Sequence, residues 1–124
     1  MGGMKVDAAP GKKTLVRAVG RLKSEPKDEL PLTFEIILRK KRIVPGMMYF
    51  GFQGKLSGEF HPFVLLPDGR IDFGSGYDDQ ERYYTTNILE KTIELQTIFT
   101  ANERDDETGK VREYVYSIIK IAEL

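Results

Sequence analysis

The sequence predicts an all-β protein of about eight antiparallel strands closed into a barrel. Three observations carry this. From residue 14 onward, runs rich in Val, Ile, Thr, Tyr and Phe recur to the C-terminus. Gly, Pro, Asp and Asn stand between them, and these are the residues that turns require. The intervals are mostly hairpin-length, so consecutive strands are expected to pair with one another. Eight strands closed up-and-down leave no sheet edge, and enclose an interior that side chains fill or that holds one small ligand. A β-sandwich is the second choice.

Residues 1–12 combine Gly, Pro and Lys and are expected to form a flexible N-terminal tail. Residues 13–124 are expected to form a single barrel domain. The first strand covers residues 14–23. Val16, Ala18, Gly20 and Leu22 share one face, while Arg17, Arg21 and Lys23 share the other with Leu15 and Val19. Alternation of this kind suggests one wet face. Residues 24–31 are a polar loop, because Pro26 and Pro31 forbid a continuing strand.

The second strand, residues 32–41, turns Leu32, Phe34, Ile36 and Leu38 inward and Thr33, Glu35, Arg39 and Lys41 outward. Pro45-Gly46 is a turn. Residues 47–56 form a third strand, apolar on both faces. Gly51 and Gly54 within it suit sharp coiling or a close approach by another chain segment. The fourth strand is residues 59–66. Pro67-Asp68-Gly69 is a hairpin turn, and residues 70–75 return from it.

Residues 81–89 make a sixth strand with Tyr83, Thr85 and Asn87 on one face. Residues 91–102 make a seventh, in which Ile93, Leu95, Thr97, Phe99 and Ala101 alternate with polar positions. Between them, Asn87-Ile88-Leu89-Glu90 also matches a helix N-cap with Glu at the third helical position. A short helical turn at 88–91 therefore competes with continuous strand. Residues 103–110 read as a hydrophilic hairpin tip, and residues 111–121 as a last strand with both faces largely apolar. The expected architecture is lipocalin-like in shape, and shape alone assigns no function.

Composition excludes several classes. The chain of 124 residues has no Cys and no Trp, so there is no thiolate nucleophile and no Cys-ligated metal. Its 19 Lys and Arg balance its 19 Asp and Glu. A dedicated nucleic-acid binder needs an unmatched basic surface, so none is expected. The balance is uneven along the chain: residues 1–58 carry 12 basic against 5 acidic groups and residues 59–124 carry 7 against 14. Met1 to Lys13 contains no apolar run, so a signal peptide is not expected. No stretch is apolar enough for a transmembrane helix, and a cytoplasmic protein without membrane contact is the expectation.

Motifs for chemistry are sparse. His61 is the only histidine and cannot build a multi-His metal centre; near-neutral titration would suit it to general-base work. Asp68, Asp72, Asp78, Asp79 and Glu81 lie near one another in sequence but lack the EF-hand pattern. No metal and no cofactor is expected. Asp72 is the best candidate for a functional carboxylate, because it sits in a strand between Ile71 and Phe73 with Arg70 as a partner. Gly74-Ser75-Gly76 lacks the lysine of a phosphate loop. Arg39-Lys40-Lys41-Arg42 is a basic run at a strand end, of the kind that discourages edge pairing.

The six tyrosines each join an apolar body to a hydroxyl that seeks a partner when buried. Tyr83, Thr85 and Asn87 form one expected lining stripe, with Tyr114 and Tyr116 on another strand. The leading expectation is a non-enzymatic barrel that binds an apolar or aromatic small molecule inside. Phe34, Phe50, Phe52 and Phe99 would supply its wall, and His61, Tyr83, Asn87 and Tyr116 would orient polar atoms. A protein–protein interaction module is the alternative, most simply a homodimer covering the doubly apolar strands. The third is a cofactor-independent enzyme, a decarboxylase, isomerase or cyclase, using His61, Asp72 and Tyr83.

Overall fold

The structure is a computed structural model that describes residues 11–24, 30–74, 82–105 and 107–124; the side chains of Arg82 and Tyr83 are outside this set. The expected tail up to residue 10, most of the expected 24–31 loop and residues 75–81 also lie outside the described residues. The strands are β1 (Lys13–Leu22), β2 (Leu32–Arg39), β3 (Arg42–Ile43), β4 (Tyr49–Gly54) and β5 (Phe60–Leu65). They continue as β6 (Arg70–Asp72), β7 (Arg82–Thr86), β8 (Ile98–Asp105) and β9 (Val111–Glu123). Each strand pairs antiparallel with its neighbour in the order β1, β2, β4, β5, β6, β7, β8, β9, and β9 returns to β1. The result is a closed up-and-down barrel of eight strands, with two-residue β3 as a flap on the end of β2. The β1–β2 and β1–β9 ladders close the ring, which excludes the sandwich.

Inward and outward faces follow from register, since strand side chains alternate. Val16 and Ala18 of β1 and Leu32, Phe34, Ile36 and Leu38 of β2 are buried. Phe34 meets Phe63 edge-on at 5.5 Å and Phe99 at 5.8 Å, so three strands share one aromatic centre. On the outer face, Arg17 and Glu35 face each other across the β1–β2 ladder and form an ion pair. Thr33, expected to face out, does so by register yet is 4% exposed, beside Phe52.

The third expected strand splits its aromatics. Gly51 pairs with Phe34 and Phe63, so it points inward with Tyr49 and Gln53. Phe50 and Phe52 therefore point outward. Phe52 is covered there by Phe50 and Phe60, with ring centroids at 6.2 and 5.0 Å, while Phe50 stays 46% exposed. This corrects the expectation that both rings line the interior. Alternation alone had no anchor, because both faces of the segment are apolar.

The expected seventh strand begins late. Ile88–Glu90 is a 3-10 turn, and the chain remains irregular up to Ile98, where β8 starts. Asn87 does not cap this turn with its side chain. Instead its Oδ1 accepts the Thr100 amide at 2.8 Å, while Thr86 Oγ1 accepts the Ile88 amide at 3.2 Å and donates to the Thr100 carbonyl at 2.7 Å. The turn is thus pinned to β8 by side chains rather than by a helix cap. A turn from Glu94 to Thr97, closed by the Thr97 amide donating to the Glu94 carbonyl at 3.1 Å, breaks the alternation, leaving Ile93 buried and Leu95 61% exposed. Ile88 and Ile93 enter the core, and the Ile93 amide donates to the Lys41 carbonyl at 2.7 Å. This segment folds over one end of the barrel and closes it. Among the described residues, no helix is long and apolar enough to cross a membrane.

Candidate functional site

The two ends of the barrel differ in filling. At the end closed by the 3-10 turn, Phe34, Ile36, Leu65, Ile88, Phe99 and Ile118 are all under 2% exposed. That half is packed as a protein interior normally is. Toward the opposite end a cavity of about 200 Å³ remains. Its apolar wall is Leu22, Leu30, Leu32, Ile71, Phe73, Ala101 and Tyr116, and its polar groups are Gln53, Tyr84, Glu103 and Tyr114.

Each side chain arrives there by register. Leu22 ends β1 and Leu32 begins β2. Gln53 stands opposite Leu32 across the β2–β4 ladder. Tyr84 stands between Ile71 and Glu103 on neighbouring strands. Glu103 is two positions beyond Ala101, and Tyr114 pairs with Ala101. Phe73 meets Tyr84 edge-on at 5.1 Å, and Tyr116 stacks on Phe99 at 5.3 Å with 11° between planes. Tyr116 therefore lines the cavity while resting on Phe99 of the solid half.

The two tyrosine hydroxyls converge on one carboxylate. Tyr84 Oη donates to Glu103 Oε2 at 3.1 Å, and Tyr114 Oη donates to Glu103 Oε1 at 3.0 Å. A carboxylate only accepts, so both protons come from the phenols. Hydrogen bonds to a charged acceptor are the stronger kind, and this pair spans β7, β8 and β9. The cluster is fixed in place by the ladder on both sides.

The residues expected to form the site are placed unevenly. Phe34, Phe99 and Tyr116 face inward, with Phe34 and Phe99 in the packed half. Phe50 and Phe52 face outward. His61 occupies an inward register position opposite Gln53, at the rim, and its Nε2 lies 2.9 Å from Glu59 Oε2. Asn87 is used by the Thr100 amide. Tyr83 pairs with Arg104 across the β7–β8 ladder, and its side chain is outside the described residues. Tyr84 and Thr86 hold the inward positions of β7, and Thr85, expected in the lining stripe, is exposed.

Asp72 is exposed, opposite Val64 on the outer face. Its Oδ1 accepts the Gly74 amide at 2.8 Å. Arg70 pairs with Asp68 instead, Nε to Oδ2 at 2.8 Å. His61 and Asp72 thus stand on opposite sides of the barrel wall and do not converge. Among the described residues no three acidic or histidine side chains gather as a metal cluster; Asp78, Asp79 and Glu81 lie outside them.

Glu103 was hidden in the hydrophilic run 103–110, which reads as a hairpin tip. A usable signal existed, since Phe99, Ala101 and Glu103 are spaced by two and share a strand face. Comparison of the chain with protein-family models, with curated proteins and with solved structures finds no match.

Proposed function

We propose that this barrel binds a small aromatic or apolar molecule in the cavity lined by Phe73 and Tyr116, without covalent chemistry. One observation carries the reading: half of the interior is packed solid, while the other half keeps a cavity of about 200 Å³ with four polar side chains in its described lining. Ligand sites characteristically join an apolar, aromatic wall to a few placed polar groups. An apolar cavity of about 150 Å³ accommodates a benzene ring, so this one has room for a single ring with a substituent.

Native mass spectrometry of protein purified gently from its own cells tests the reading. A small-molecule mass lost on denaturation is expected. Thermal melts should show a ligand-dependent rise that disappears in Ala101→Leu, where the added methyls occupy the cavity. No retained molecule, and no rise with any ring-sized probe, would overturn it.

A second reading, assembly of two copies through the outer face of β4 and β5, is favoured by the exposure there of Met48, Phe50 and Val64 at 65%, 46% and 38%. Sedimentation equilibrium decides it: a concentration-independent monomer rules it out.

A further inference from the structure

The acceptor chemistry of the cavity narrows the ligand class, and this step rests on the binding reading above. Glu103 takes the protons of two hydroxyls, Tyr84 at 3.1 Å and Tyr114 at 3.0 Å. A phenol has one proton and two lone pairs. With its proton committed to the carboxylate, each of these hydroxyls can offer a second partner only a lone pair. A tyrosine pair in a pocket would ordinarily present donors; here Glu103 converts the pair into acceptors. The carboxylate is itself acceptor-only, and of the four polar side chains only Gln53 retains N–H donors.

We infer that the cavity selects small aromatic rings bearing N–H or O–H donors, such as arylamines, and discriminates against rings bearing a carboxylate. The donor would meet the Tyr84, Glu103 and Tyr114 oxygens while the ring lies against Phe73 and Tyr116. An anionic ring would place its charge beside the Glu103 carboxylate. Like charges at close range in a partly desolvated site repel more strongly than in water. Arg112 pairs with Glu103 across the β8–β9 ladder and is exposed, so its attraction for anions acts from the rim.

The ordering of three probes of similar ring size tests this. Aniline has N–H donors, toluene has none, and benzoate carries a carboxylate. A donor costs desolvation, so a cavity indifferent to donors binds toluene best. NMR chemical-shift titration of the full chain, read at residues around the cavity, is expected to show aniline binding about tenfold or more tighter than toluene, since hydrogen bonds to charged groups are the stronger class. Benzoate is expected to bind weakest. Glu103→Gln keeps the shape of the side chain and adds an amide donor; it should remove the aniline preference and raise benzoate affinity. Tyr114→Phe supplies a second variant in which the acceptor set is smaller.

Toluene binding as tightly as aniline in the unmodified chain would overturn the inference and leave the binding reading standing. Benzoate binding tighter than toluene, or an aniline preference that survives Glu103→Gln, would also overturn it. No shift at the cavity residues with any probe would overturn both.

Discussion

Phe99 lies across Gly20: a β-carbon on Gly20 would stand 2.5 Å from Cζ of the Phe99 ring. The ring is fully buried and stacked on Tyr116, so it can yield only by displacing that stack. Gly20→Ala is expected to destabilise the fold by about 1–3 kcal/mol, the usual cost of overpacking. A β-carbon on Gly58 would meet nothing within 4 Å, and the backbone there has no positive φ. Gly58→Ala should therefore change stability by no more than about 0.5 kcal/mol. Urea denaturation of the two variants gives the comparison, and equal effects would contradict the packing described.

Phe34 and Phe50 provide a test of inside against outside. Phe34 contacts Phe63 and Phe99 at the centre of the core, so Phe34→Ala should cost about 3–5 kcal/mol. Phe50 is 46% exposed on the outer face. Phe50→Ala should cost under about 1 kcal/mol, most of it contact with Phe52. Chemical denaturation resolves a difference of this size easily.

Tyr49 predicts the alkaline limb of stability. Its hydroxyl donates to the Val44 carbonyl at 2.5 Å, and burial pushes its phenol above the ordinary value of 10.0, partly offset by a backbone hydrogen bond with Ile37. A folded-state pKa raised above the unfolded one gives stability that is fully present below the unfolded value. That stability is lost as pH rises through the folded value. Stability measured across the alkaline range should therefore fall in the native chain and fall less in Tyr49→Phe. At neutral pH the variant should lose about 1 kcal/mol with its hydrogen bond.

The β2–β3 hairpin carries its own strain. Arg39 pairs with Arg42, leaving Lys40 and Lys41 as the two turn residues, at φ 53 and 64. Both are left-handed, as in a type I′ turn, where Asn-Gly is favoured. The steric cost for an ordinary side chain there is about 1–2 kcal/mol. Lys40→Asn with Lys41→Gly should raise stability by at least about 1 kcal/mol, since the Lys41 carbonyl remains available to Ile93. The Lys41–Glu94 ion pair, 3.7 Å and exposed, is too weak to offset the gain. A lower denaturation midpoint in the double variant would refute this account.

Strand periodicity made much of the barrel readable in advance. In β2, Leu32, Phe34, Ile36 and Leu38 are all buried and alternate with Thr33, Glu35, Ile37 and Arg39, three of which are polar. The same pattern placed Val16 and Ala18. It failed in β4, where Phe50 and Phe52 are as apolar as Tyr49, and a one-residue choice reverses every side chain. It failed again after Thr86, because Ile93 and Leu95 match alternation only if no turn intervenes. The turn from Glu94 to Thr97 resets the count. Of the cavity's polar cluster, Tyr114 was expected to line the interior, Tyr84 was missed by one register step, and Glu103 was hidden in a run of charged residues.

By itself, then, the sequence determined that this chain is all-β with antiparallel strands, because turn chemistry and a period of two are local properties of the chain, whereas closure into a barrel rather than a sandwich rests on the long-range β1–β2 and β1–β9 ladders. Tertiary structure decided which end is solid and which is hollow. The long-range ladders bring Tyr84, Glu103 and Tyr114 together from three strands, both hydroxyls within hydrogen-bond reach of the carboxylate. The turn at Ile88–Glu90 and Ile93 closes the other end. Where side chains from different strands meet depends on register summed around the closed ring, and no local segment encodes that sum.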